Sequence, residues 1–155
     1  EADTKFLDHG GLDHSKIHRY VYDNNREGRL KLVGYALTEK LQVFPEHKAA
    51  VISLSAEELK RFGYVNGDTE GLVNQALSVE GVNFAAFIHE SDDRIKMSFR
   101  SVGEFSVRDF SANHFGGGGH HNAAGGASTD SLEEVVSKIL KLLPEYSNKL
   151  NYIAD

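Results

Sequence analysis

Apolar residues recur along the chain with a spacing that alternates between helical and extended, and each change marks a new element. Ile17 and Val21 stand four apart behind the candidate caps Asp13 and Ser15, which predicts a short helix ended by Asn24-Asn25. From Arg26 onward, Leu30, Val33, Leu37 and Leu41 recur at three and four, predicting an amphipathic helix of about four turns. Residues 41–54 then read as two strands, with Pro45-Glu46-His47 as the turn and Ala49-Ala50-Val51-Ile52 as the buried run. Ser55-Ala56-Glu57-Glu58 matches a capping box, and Gly63 suits the far end of that short helix. A further helix is expected over residues 68–77, opened by Asp68 or Thr69. Residues 82–89 and 94–102 predict strands joined as a hairpin by Glu90-Ser91-Asp92-Asp93. Ser106 with Asp109 opens a helix through about His114. Ser131-Leu132-Glu133-Glu134 is a second capping box, leading an amphipathic helix of Val135, Ile139, Leu142 and Leu143 that stops near Pro144.

This order implies an α/β fold whose mixed sheet contains an antiparallel hairpin, with helices packed on it, and argues against a doubly wound parallel sheet. A chain of 155 residues suffices for one core. Its 40% hydrophobic and 26% charged residues are ordinary for a soluble globular domain. No apolar run is long enough to span a bilayer and no leader pattern is present, so no membrane partner is expected. Cysteine is absent, which excludes disulfides and thiolate metal sites and makes the reducing cytoplasm the default. A net charge of −6 disfavours a broad basic surface that coats nucleic acid, but leaves room for a confined pocket with a few local cations. The first thirteen residues are a mixed polar stretch without an initiator methionine, as expected of a chain cut from a longer one.

Candidate chemistry centres on Gly116-Gly117-Gly118-Gly119-His120-His121. Four glycines in a row cost roughly 0.5–1 kcal/mol each in backbone entropy relative to alanine. Main chain that must approach a ligand closely, or adopt positive φ, justifies that cost. A flexible linker would carry serine and polar flanks, whereas Phe115 and Ala123-Ala124 flank this loop. Its free N–H groups, with a helix expected to start near His121-Asn122, predict an anion site to which His120 and His121 add donors. A metal trio of His114, His120 and His121 is disfavoured because consecutive glycines make a poor frame.

The second element is Lys96-Met97-Ser98-Phe99-Arg100-Ser101. Alternation places Lys96, Ser98 and Arg100 on one face and Ile95, Met97 and Phe99 on the other. An arginine beside a serine at a strand end suits phosphate, since guanidinium binds its oxygens bidentately. One short helix separates Ser101 from Gly116, so strand end and glycine loop can converge. His89, ending an apolar strand, is expected to be an edge residue rather than a ligand, and Glu57-Glu58 and Glu133-Glu134 are explained by the capping boxes.

These residues resemble a known family. The run from Phe115 through the glycines, His120, His121, Asn122, Ala123, Ala124 and Gly125 is similar to the GGGH signature of the DHHA1 domain in DHH phosphoesterases. Lys96-Met97-Ser98-Phe99-Arg100-Ser101 resembles its K-x-S-x-R-S strand, and Asp68-Thr69-Glu70-Gly71-Leu72-Val73-Asn74 its x-T-E-G-x-x-N segment. Arg26-Glu27-Gly28-Arg29-Leu30-Lys31-Leu32 resembles the helix leaving the catalytic domain. The similarity covers roughly residues 15–145, with Phe99 and Asp68 as small departures, and is greatest to the oligoribonuclease and phosphoadenosine-phosphate phosphatase group, some members of which are called exopolyphosphatase-related.

The resemblance implies that residues 1–26 are the tail of a catalytic domain and linker, 27–148 the DHHA1 substrate-binding domain, and 149–155 a tail. In the family, an Asp-His-His triplet and further aspartates on a separate N-terminal domain hold two manganese ions that activate water. This chain has no such triplet; Asp8-His9 and Asp13-His14 lack the second histidine. No catalytic or metal-binding residue is therefore assigned, no cofactor is expected within the chain itself, and the chain alone is expected to be inactive. Substrate binding is assigned to Arg100, Ser101, Gly116, Gly117, Gly118, Gly119, His120, His121 and Asn74. The expected partners are a nucleotide or short oligonucleotide and, for the full-length protein, a second copy. Alternatives are a cyclic-dinucleotide phosphodiesterase, or a non-catalytic RNA-binding module like that of alanyl-tRNA synthetases.

Overall fold

The computed structural model describes residues 26–151. Helix α1 (Glu27–Tyr35) runs on as a π-helical turn over Ala36–Lys40 and leads into strand β1 (Gln42–Phe44). A short turn over Pro45–His47 reverses the chain into β2 (Ala49–Leu54), whose residues are buried almost throughout because helices cover both sides of it. Helix α2 (Ala56–Arg61) is opened by Ser55 and Glu58 in a reciprocal capping box, as expected. It closes at Gly63 (φ 65°), where the Gly63 N–H reaches the Lys60 carbonyl and the Tyr64 N–H the Leu59 carbonyl, a Schellman pair.

Helix α3 (Leu72–Leu77) starts later than its sequence suggests. Asp68 does not cap it. Instead Asp68 is 4% exposed, and its carboxylate accepts from both Arg26 terminal nitrogens (3.2 and 2.6 Å) and from the Val65 N–H (3.0 Å). A buried carboxylate holding those donors makes residues 65–71 a run of turns rather than a helical first turn.

Strands β3 (Phe84–Ser91) and β4 (Arg94–Ser101) form the expected hairpin. Helix α4 (Val107–Phe115) follows, capped by Ser106 on the Asp109 N–H. Next come β5 (Gly118–His120), β6 (Ala123–Ser128) and helix α5 (Leu132–Leu142), with Ser131 and Glu134 in the second capping box. A 3-10 turn over Leu143–Tyr146 and the short helix α6 (Ser147–Leu150) complete the described chain. The expectation of a helix near His121-Asn122 is not met. The chain turns there into a β-hairpin, because alternating small residues let Gly118, Gly119 and His120 pair with Gly125, Ala124 and Ala123.

The six strands lie in the order β1-β2-β3-β4-β6-β5. Only β2 and β3 pair in parallel, joined by the α2–α3 crossover; the other pairs are antiparallel. The fold is thus the mixed α/β sheet that the element order implied. One face of the sheet carries Phe84, Met97, Phe99 and Ala124 under Val107, Phe110, Val135 and Ile139 of α4 and α5. Phe84, Phe99, Phe105 and Phe110 meet there with ring centroids 5.3–5.9 Å apart. The other face carries Ala50, Ile52, Ala85 and Phe87 under Leu32, Leu59, Leu72 and Ala76 of α1, α2 and α3 and Ala36 of the π-helical turn. Leu32 of α1 and Ala36 of the π-helical turn are buried against the sheet, while Leu30, which its spacing put on the apolar stripe, is 56% exposed.

Candidate functional site

Cross-strand register assembles the site. Arg100 of β4 stands opposite Ala85 on β3 and Ala123 on β6, and Ala123 stands opposite His120 on β5. Residues directly opposite one another share a face, so Arg100, Ala123 and His120 form one row across three strands. Strands lie about 4.8 Å apart, which separates the Arg100 and His120 backbones by about 10 Å. The next row is Ser98, Gly125 and Gly118. Both rows lie on the face of α1–α3, since Ala85 belongs to that core. Over β6 and β5, however, the floor is open: Gly118 and His120 are exposed, and a Cβ added at Gly118 would meet nothing within 4 Å. The result is a floor of alanine and glycine between one guanidinium and one imidazole.

The four glycines divide by physical task. Gly116 takes the left-handed conformation (φ 61°) that ends α4. Gly117 is packed against the hairpin, and a Cβ there would lie 2.0 Å from the Gly125 carbonyl oxygen and 2.4 Å from Ser111 Oγ. Gly119, at φ 145°, would place one 2.6 Å from the Ala123 carbonyl oxygen. Only Gly118 faces the open floor.

Arg100 is half-buried, and its Nη1 donates to the Phe99 carbonyl at 2.9 Å. Ser101 is 4% exposed, with its hydroxyl donating to the Phe105 carbonyl (2.7 Å) and accepting from Asn122 Nδ2 (2.9 Å). His121 Nε2 lies 3.0 Å from the Gly103 carbonyl, and the His121 carbonyl accepts from the Val107 N–H at 2.8 Å. Ser101, His121 and Asn122 therefore clamp the hairpin turn onto the segment entering α4. Asn74 is exposed on α3, whose inner side buries Leu72, Val73 and Ala76.

The sequence reading missed Ser111. It is fully buried within α4, its hydroxyl donates to the Gly125 carbonyl (2.6 Å), and its own carbonyl accepts from the Gly117 N–H (3.1 Å). It thus locks the glycine loop from behind. A serine among Val107, Phe110 and Phe115 on the inner face of a helix is the signal that could have found it.

Among the described residues, no group of three or more His, Cys, Asp or Glu side chains could hold a metal ion. Residues 26–151 therefore offer no donor set for manganese, and no chemical step through it follows from them. Asp8-His9 and Asp13-His14 lie outside the described residues. No described helix is long and apolar enough to cross a membrane.

The fold is a small α/β domain whose sheet carries a glycine-histidine hairpin at its edge. The chain belongs to the DHHA1 domain family, which it matches over residues 47–149. An exopolyphosphatase-related protein from Bacteroides fragilis is 41% identical, with a TM-score of 0.81 over 89% of this chain and 40% of its own. A pGpG-specific phosphodiesterase, PggH, from Vibrio cholerae shares the fold, with a TM-score of 0.60 at 12% identity over 94% of this chain and 46% of its own. The chain thus spans less than half the length of either protein. No curated protein matches it significantly.

Proposed function

We propose that this chain is the nucleotide-gripping part of a phosphoesterase that cleaves short oligoribonucleotides or nucleotide phosphates. The row Arg100–Ala123–His120, with Gly118 open beside it, carries the reading. A terminal phosphate lies on the Arg100 guanidinium, where a charge-assisted bidentate pair is worth about twice a neutral hydrogen bond. The side-chain-free floor admits the nucleotide against the backbone, and the outward N–H groups of the edge strand β5 add donors. His120 stacks on the base or donates to the phosphate, and Asn74 stands at the α3 wall. Ser101 and His121 act by holding the hairpin. Gly116, Gly117 and Gly119 shape the loop that presents Gly118.

The cleaving metals, manganese by family resemblance, belong in this reading to a separate domain, so this chain alone hydrolyses nothing. It is supported by the family match. Cytoplasmic location and a homodimer of the full-length protein complete the proposal. Calorimetric titration with adenosine 5′-monophosphate tests it: the chain binds, and Arg100→Ala loses that binding while keeping its melting temperature. Binding unchanged in Arg100→Ala would refute the site. Release of mononucleotide from a labelled dinucleotide by the chain with manganese would refute the division of labour.

A further inference from the structure

Strand β4 carries two serines beside Arg100, and the fold gives them opposite tasks. Alternation puts Ser101 on the buried side with Met97 and Phe99. There its single O–H proton is committed to the Phe105 carbonyl, while its oxygen accepts from Asn122. Ser101 has no proton left to give a ligand. Ser98 lies on the opposite side with Arg100, half-buried, and its hydroxyl bonds no group among the described residues.

The row through Ser98 is Phe87, Ser98, Gly125 and Gly118. Phe87, 4% exposed, closes the β3 side. On the other side glycine follows glycine, so no side chain rises next to the hydroxyl. Packing accounts for the first of them, because a Cβ on Gly125 would lie 3.0 Å from the Met97 carbonyl oxygen. It does not account for Gly118, where a Cβ meets nothing within 4 Å. The Ser98 hydroxyl therefore borders a space kept clear of side chains beyond what the sheet itself requires.

Arg100 approaches the same space from its own strand. The bond from Nη1 to the Phe99 carbonyl folds the guanidinium back over β4, to the level of the peptide joining Phe99 and Arg100. That level is about one and a half residues from Ser98, roughly 5 Å at 3.3 Å per residue. Phosphate oxygens that accept a bond of about 2.9 Å from either side bridge a gap of that size. The guanidinium brings the charge and has five N–H donors, of which Phe99 occupies one. The hydroxyl brings a neutral donor that is free to rotate toward the anion.

We propose that Ser98, and not Ser101, is the serine that binds the phosphate, which rests over Gly125 between the Ser98 hydroxyl and the Arg100 guanidinium. The inference rests on the Arg100 site proposed above and adds the residue that holds the second side of the anion. The test is titration of this chain with adenosine 5′-monophosphate well below its melting temperature, where a loss of stability alone leaves affinity unchanged. Ser98→Ala weakens binding by about tenfold, as expected for a hydrogen bond to a charged group, and melts near the parent because the hydroxyl holds no bond in the fold. Ser98→Thr keeps the hydroxyl on a residue suited to a strand and restores the affinity. Ser101→Ala instead lowers the melting temperature. If the parent binds and Arg100→Ala does not, yet Ser98→Ala binds like the parent or Ser98→Thr is as weak as Ser98→Ala, the Ser98 contact is refuted and the Arg100 site stands. Weakened binding by Ser101→Ala at an unchanged melting temperature returns the role to Ser101 and refutes the proposal. If the parent does not bind the monophosphate at all, the Arg100 site falls and takes this contact with it.

Discussion

Replacing Gly118 with valine should weaken nucleotide binding and spare the fold, while replacing Gly117 with alanine should destabilise the fold. The two positions are adjacent, so composition cannot tell them apart. A Cβ on Gly118 meets nothing within 4 Å, and its φ does not lie in the left-handed region. Valine suits a strand, so the Gly118→Val melting temperature should stay near that of the parent. Its side chain, however, rises from the floor in the row next to Arg100 and His120, where the phosphate would rest. Displacing a phosphate from a charge-assisted pair costs about 1.5–3 kcal/mol, or roughly a tenfold to hundredfold loss of affinity. In Gly117→Ala the new methyl would sit 2.0 Å from the Gly125 carbonyl oxygen and 2.4 Å from Ser111 Oγ. Backbone cannot yield as a flexible side chain does, so the hairpin must shift from α4, with an overpacking cost of about 1–3 kcal/mol. That corresponds to a fall of several degrees in melting temperature. Thermal unfolding and titration with adenosine 5′-monophosphate measure both effects. Normal binding by Gly118→Val would show that the floor is not the site. A melting temperature for Gly118→Val as low as that of Gly117→Ala would refute the packing argument.

His120→Ala should weaken monophosphate binding less than Gly118→Val in the same titration, because it removes one contact and leaves the floor open; the reverse order would make His120 the principal anchor. Arg26→Ala should cost about 1–3 kcal/mol in urea unfolding, since it strips both guanidinium bonds from the nearly buried Asp68 and leaves it only the Val65 N–H. No measurable loss there would mean that Asp68 is solvated. Stability should also fall in acid. Burial pushes the Glu58 carboxyl up, but bonds from the Tyr35 hydroxyl, the Ser55 N–H and Lys40 outweigh it and hold the pKa below the ordinary 4.5. A lowered carboxyl stabilises the fold above its unfolded pKa and loses that contribution as pH falls below 4.5 through the folded value. Urea unfolding in that acid range should therefore depend less on pH in Glu58→Gln than in the parent, and equal slopes would remove Glu58 from the account.

Local signals in the sequence settled most of the elements. Both capping boxes, the Gly63 helix end, the Ser106 cap and the β3–β4 hairpin depend on bonds between residues a few positions apart, which side-chain chemistry and spacing specify directly. Alternation along β4 likewise put Lys96, Ser98 and Arg100 on one face before any partner strand was known. Long-range partners decided the rest. Asp68 reads as a helix cap until Arg26, distant in sequence, claims its carboxylate. The glycine run reads as a loop before a helix until β6 pairs with it and turns it into the edge of a sheet. The same pairing divides the glycines into one that ends a helix, two that Cβ atoms would force apart from their neighbours, and one that faces open space. Sequence could count four glycines, but whether a missing side chain makes room for backbone or for a ligand depends on what lies across the gap, and only the packed strands determine that.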